Sequence, residues 1–279
     1  MIKMSNADNK QNSQVENRMK LSDIFDKEFN FMPVLFIKFF SELEHRNDFI
    51  SGNIYSNTFD YMVQCEKVEG RGRGDLFEGI NVISNAHLKF YKHNTNKLMF
   101  EATVGANGLT SKITDSERMH MFCTTGVYPE WFEIISQTDQ EIKCNLNIPD
   151  YFQELMKDSF GKYVVVYSPE DFKSKLDKYG KINSLRVEHG KVFYLDYSVN
   201  PSERIKSFIE GSANFYFQKD IFFDGQQEYR FVFPTLISYG AEILNLNSEL
   251  EHIEEIETIE DLINYKCEVI VSLQTNVSD

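Results

Sequence analysis

Four glycines in eleven residues set off "EGRGRGDLFEG" (residues 69–79), and between them stand Arg71, Arg73, Asp75 and Glu78. A loop this poor in side chains lets a ligand approach the backbone closely. Arg71 and Arg73 suit a phosphate or carboxylate, whose oxygens a guanidinium fork can hold; Asp75 and Glu78 suit a divalent cation. The preferred reading is plainer: a turn in which arginine and aspartate pair with each other and fix the loop. It is not a P-loop, because no GKS or GKT follows, and the strand-to-helix setting of a dinucleotide fingerprint is absent.

The stretch "DGQQEYRFVFP" (residues 224–234) poses a second question. Read with the two-residue period of a strand, Gln227, Tyr229, Phe231 and Phe233 fall on one face and Gln226, Glu228, Arg230 and Val232 on the other. The first face is core. The second either lines a site or is solvated, with Glu228 and Arg230 as a surface ion pair. Elsewhere the six histidines show no HExxH spacing, no G-x-S-x-G elbow occurs, and Cys123 has no evident partner base.

The elements that must position these residues are read from pattern. "PVLFIKFF" is a strand, "SELEHRNDFISG" a short helix ending at Gly52, and "NIYSNTFDYM" a strand or turn, giving a β-α-β order. Two alternating segments flank the turn residues His93 to Asn96, and "RMHMFCTTGVY", "KYVVVY" and "KVFYLDY" read as strands. Ser168 caps a helix that Pro169 opens and Gly180 stops. Residues 205–218 read as a helix or as a helix passing into a strand. Leu250, Ile253, Ile256, Ile259, Leu262 and Ile263 recur at helical spacing in an acidic segment, which predicts a packed surface helix before the strand "CEVIVSL". Residues 1–20 are a polar tail, and 21–279 form one α+β domain with insertions around a twisted, mainly antiparallel sheet with flanking helices.

The chain has 279 residues, 42 % of them hydrophobic, enough for a substantial core. A formal net charge of −14 opposes non-specific nucleic-acid binding, although a local basic patch is compatible with it. Four scattered cysteines suggest neither a zinc site nor a disulfide framework, which fits a reducing cytoplasm. No apolar run is long enough to span a membrane and no signal peptide is evident, so a cytoplasmic protein without membrane contact is expected.

Three elements in order, "FIKFF", "MFCTTGV" and "QQEYRFVFP", resemble the three signature strands of the ADP-ribosyltransferase superfamily. Lys38 stands where that family has Arg or His, Cys123-Thr124-Thr125 where it has Ser-Thr-Ser, and Gln226-x-Glu228 supplies the last motif. The resemblance implies an ADP-ribosyltransferase-like fold with NAD as substrate. It makes Glu228 the catalytic carboxylate that binds a ribose hydroxyl and stabilises the oxocarbenium-like centre, and Gln226 the residue that orients the acceptor. Lys38, Tyr55, Thr124, Thr125, Arg71 and Arg73 become the NAD-binding positions. Lys38 offers a compact charge where arginine would offer a planar fork. The chain is also similar to bacterial and phage-associated proteins sharing "GNIYSNTFDYM", "RGDLFEG" and "QEYRFVF", which implies a setting of conflict between bacteria and mobile elements such as phage defence. The acceptor would be a host or phage protein or a nucleic acid. The alternative is a non-enzymatic acidic binding module that sequesters such a protein. If the transferase reading holds, Lys38, Thr124 or Thr125, and Glu228 converge on one cleft with the glycine-rich loop at its mouth.

Overall fold

The computed structural model describes residues 18–69, 74–105 and 108–272. Helix α1 (Lys27–Asn30) precedes β1 (Leu35–Phe40), α2 (Leu43–Ile50) and β2 (Asn53–Thr58), the expected β-α-β order. Gly52 turns the chain into β2 at φ +86°, where a Cβ would lie 2.2 Å from the carbonyl oxygen of Ser248, so a side chain is excluded twice over. The second half of "NIYSNTFDYM" is neither strand nor turn. It opens α3 (Phe59–Glu69), because Thr58 Oγ1 accepts from the Tyr61 N–H at 3.1 Å and so caps the first turn.

A double ribbon follows, made of β3 (Ile80–Ile83), β4 (Ala86–Tyr91), β5 (Leu98–Val104) and β6 (Leu109–Lys112), with β3 paired to β6 and β4 to β5. Then come β7 (Met119–Val127), β8 (Phe132–Gln137), β9 (Glu141–Leu146), α4 (Asp150–Ser159), β10 (Tyr163–Tyr167) and α5 (Pro169–Asn183). The last third holds β11 (Glu188–Lys191), β12 (Phe193–Leu195), α6 (Ser202–Ile209), β13 (Gln218–Asp220), β14 (Glu228–Ile237), β15 (Glu242–Asn245), β16 (Ile253–Ile256), α7 (Ile259–Ile263) and β17 (Glu268–Ser272). The main sheet runs β11-β14-β7-β1-β10-β16, with β2 also paired to β7 and β15 to β2. All of its pairings are antiparallel, and the class is α+β.

Strand alternation sends core side chains to both faces of the sheet, with a third cluster of Phe59, Met121, Phe215, Tyr216, Phe217 and Val232 beside them. Phe36, Phe122, Val165, Tyr167, Tyr229 and Phe231 point to the face covered by Phe49 of α2 and by Phe172 and Leu176 of α5. Ile37, Val127, Val164 and Val166 point to the face covered by Phe152 and Met156 of α4 and Leu262 of α7. Each such side chain, fully buried, contributes about 1.5–3 kcal/mol.

Two further expectations need correction. The acidic segment is not one helix: Ile253–Ile256 is an edge strand on β10, and only Ile259–Ile263 is helical. Leu250 and Ile253 serve one core and Ile256 and Leu262 the other, which a single apolar helix stripe cannot do. Gly180 does not stop α5, which runs on to Asn183; it lies where the chain folds back, with the Leu185 carbonyl oxygen 2.7 Å from where a Cβ would be. Before α1, the Met19 carbonyl accepts from the Ile134 N–H of β8 at 2.9 Å. Among the described residues no helix is long and apolar enough to cross a membrane.

Candidate functional site

An antiparallel strand turns successive peptide groups toward opposite neighbours. On β7, Gly126 turns toward β14, its N–H donating to the Gln227 carbonyl at 2.8 Å, so Thr125, Cys123 and Met121 turn the other way. Thr125 meets Ile37 of β1 and Met121 meets Asn57 of β2. Cys123 lies between them, at a fork where neither strand follows β7. Lys38 Nζ enters this gap and donates to the Cys123 carbonyl at 2.5 Å, 4.6 Å above the ring of Phe122. Thr124 seals the base of the fork: its hydroxyl donates to the Ile37 carbonyl at 2.8 Å and accepts from Tyr167 at 2.9 Å.

The fork opens into a cavity of about 540 Å³, within the range of small-molecule sites. It is lined from both faces of the sheet, which is how residues on opposite faces come to share it. By alternation Lys38 and Thr124 belong to the face of Phe122 and Tyr229, whereas Cys123, Thr125, Glu228 and Arg230 belong to the other. Tyr55, Asn57 and Tyr61 add walls from β2 and α3.

The deep end holds four buried charges. Glu228 Oε2 lies 3.0 Å from Lys219 Nζ and Oε1 lies 2.7 Å from Arg230 Nε. Arg230 also donates to both oxygens of Glu78, at 2.7 and 3.3 Å, and to the Tyr216 carbonyl at 2.6 Å. Lys219 further donates to Gln226 Oε1 at 3.0 Å, and the Glu228 N–H donates to the Tyr194 hydroxyl at 2.8 Å. Two cations thus face two carboxylates, the arrangement that makes buried charge tolerable.

The environments of the two carboxylates differ. Burial alone would raise Glu228, but Arg230 and then Lys219 overturn it and hold the carboxyl well below the usual carboxylate range. For Glu78 burial prevails over Arg230 and Lys219, and its carboxyl is raised. Neighbouring acids pushed apart in this way differ in how readily they take a proton, Glu228 less readily than Glu78. Burial, followed by the charge of Glu228, pushes the Cys123 thiol up, which disfavours the thiolate a cysteine nucleophile needs.

Lys38, Tyr55, Thr124, Thr125, Gln226 and Glu228 all border this cavity. Arg71 and Arg73 lie outside the described residues. The same loop sends Glu78 into the cavity, while Asp75 accepts from the backbone N–H groups of Phe77 at 2.9 Å and Asp220 at 3.3 Å. The two acids therefore serve separate partners, and among the described residues no cluster of His, Cys, Asp and Glu is arranged to hold a metal ion. The proposed surface pair of Glu228 and Arg230 is instead buried, with Glu228 7 % and Arg230 0 % exposed. Gln226 does not share the strand alternation of Glu228. It ends a 3₁₀ turn, and Gln227 at φ +47° breaks the extended geometry, so Gln226 reaches the cavity through Lys219. The Thr124 hydroxyl is taken up by Ile37 and Tyr167.

Lys219 is the residue that pattern reading missed. It sits in a three-residue strand, β13, paired in parallel with β12, and a lone lysine in "FQKDIF" carries no signal of burial. Scanning protein-family models, curated proteins and solved structures returns no match to this chain.

Proposed function

We propose that the fork cavity binds NAD and that the chain is a divergent ADP-ribosyltransferase-like protein with the corresponding fold. It would act in bacteria–phage conflict, within the cytoplasm, on a host or phage protein or a nucleic acid. The observation that carries this reading is the Glu228 carboxyl, held between Lys219 and Arg230 at the deep end of a cavity that Lys38 and Thr125 also border. In the reaction the bond between ribose C1′ and nicotinamide breaks, its electron pair leaves with nicotinamide, and an acceptor nucleophile bonds to C1′ and loses a proton. Glu228 supplies negative charge where positive charge develops. Arg230 and Lys219 fix both of its oxygens, so no reorganisation is needed at that moment. Lys38 offers a cation for pyrophosphate, and Tyr55 and Tyr61 offer aromatic surface to a ring.

One observation favours the binding-module alternative: both oxygens of Glu228 are already engaged by cations. Incubation of labelled NAD with host lysate separates the two. Transfer of label by the wild type and its loss in Glu228→Gln at equal folded concentration support the transferase. Absence of transfer, together with no heat on calorimetric titration with NAD, supports the module.

A further inference from the structure

Between Glu78 and Asp115 the chain carries Lys89, Lys92, Lys97 and Lys112 against a single acid, Glu101, in a protein of 43 acidic and 29 basic residues. This basic island is the double ribbon. Its root is fixed, since Arg204 donates to the Ile80 carbonyl and Asn200 brackets Ser84, accepting from its N–H at 3.0 Å and donating to its carbonyl at 2.8 Å. Past Ser84, β4 and β5 pair with each other and with no other strand among the described residues.

Register gives the ribbon two unlike faces. Leu88 stands opposite Ala102 and Phe90 opposite Phe100, whereas His87 and Lys89 stand opposite Thr103 and Glu101. The apolar face is uncovered toward the tip, where Phe90 is 38 % and Phe100 53 % exposed and the two rings stack with centroids 4.3 Å apart. Tyr91, also 53 % exposed, stands next in sequence to Lys92. An isolated two-stranded hairpin is marginal in water, so this face gains from a partner.

Exposed rings beside lysines form a stacking platform for single strands: bases lie on rings whatever the sequence, and ammonium groups meet phosphates. We propose that the β4–β5 ribbon binds single-stranded nucleic acid, with Phe90, Phe100 and Tyr91 taking bases and Lys92 and Lys97 taking phosphates, while Lys89 stays with Glu101 at 3.4 Å. The net charge of −14 does not forbid this. Six residues of strand reach roughly 20 Å at about 3.3 Å each, and screening at physiological salt acts over about 8 Å. The tip lysines thereby stand more than a screening length from the ribbon's root. An acidic patch on a second copy or an anionic bilayer would satisfy the same lysines, but flat bases are what extend the Phe90–Phe100 stack. The ribbon would bind in this way whether or not the fork cavity takes NAD.

The test is fluorescence anisotropy of a labelled single-stranded RNA, and of the matching DNA, of about 16 nucleotides, titrated with the full chain. We expect saturable binding that weakens about sevenfold between about 50 and 200 mM salt, the dependence of two phosphate contacts. Lys92→Glu/Lys97→Glu should abolish it, and Phe90→Ala/Phe100→Ala should weaken it about tenfold or more. Both variants should keep the wild-type far-UV spectrum, because neither pair belongs to the main sheet. Absence of binding at the lower salt, or equal binding by wild type and both variants, overturns the proposal. So does flotation with phosphatidylserine vesicles, or self-association, that the variants lose while the single strand goes unbound.

Discussion

Arg230 grips Glu78 across 152 residues of sequence, Nη1 to Oε1 at 2.7 Å and Nη2 to Oε2 at 3.3 Å, with both side chains 1 % exposed. The glycine-rich loop is thereby tied to the central sheet. Removing one partner of a buried pair leaves the other uncompensated, at about 3–5 kcal/mol. Glu78→Ala should therefore lower the thermal midpoint by roughly 10 °C. Replacing both partners with apolar residues of similar size, as in Glu78→Leu/Arg230→Met, should recover part of that loss. A single change that moves the midpoint by no more than a degree or so would show that the pair does not anchor the loop.

Lys38 tests the fork. Its ammonium satisfies the Cys123 carbonyl at the point where β7 has no strand partner on that side. A hydrogen bond from a charged group is worth about 1.5–3 kcal/mol, so Lys38→Met should cost some stability in any case. If the ammonium also meets pyrophosphate, calorimetry should show NAD affinity falling about tenfold or more, the equivalent of about 1.4 kcal/mol. NAD affinity unchanged in a folded Lys38→Met protein would reduce Lys38 to a plug for the fork.

Cys123 is half-buried, so access alone does not protect it, but burial and then Glu228 hold its thiol in the protonated form. Iodoacetamide should label it slowly at neutral pH and faster once the chain is unfolded, followed by peptide mass mapping. Glu228→Gln removes one of the charges that raise the thiol and should speed labelling of the folded protein. Fast labelling of the native wild type would contradict this account of the deep end.

Much of this was legible in the sequence where pattern and period act locally. The strand through Phe231 follows from alternation, those through Phe36 and Phe122 from β-like runs, and α5 from its Ser168-Pro169 start. The acidic segment misled because residues 250–263 divide between cores on opposite faces of the sheet, and one-dimensional spacing cannot distinguish two faces from one stripe. In the site, Glu228 and Lys38 were visible as residue types at plausible spacing. Lys219 and the bond from Arg230 to Glu78 were not, because a buried ion pair is made by tertiary contact alone. Burial also decides between the two readings of Glu228 and Arg230: Lys219 of β13 and Glu78 of the glycine-rich loop cover them, so they are not a surface pair.

The burial of Glu228 makes Glu228→Gln a test of stability and chemistry together. The native carboxyl is held below its usual range by Arg230 and Lys219, which outweigh burial. A depressed native value means stability fully present above the unfolded carboxyl value of about 4.3, and lost as pH falls from there toward the native value. The gap in thermal midpoint between wild type and Glu228→Gln should therefore stay level from neutral pH down to about pH 5.5 and narrow below about pH 4. At neutral pH the variant leaves Lys219 and Arg230 short of a counter-charge, so it should melt lower by several degrees while folding at low temperature. Transfer of label from NAD should fall about a hundredfold to a thousandfold at equal folded concentration, the usual cost of one well-placed electrostatic contact. If the midpoints behave as described but label transfer is equal in both proteins, Glu228 holds the fork together and takes no part in chemistry.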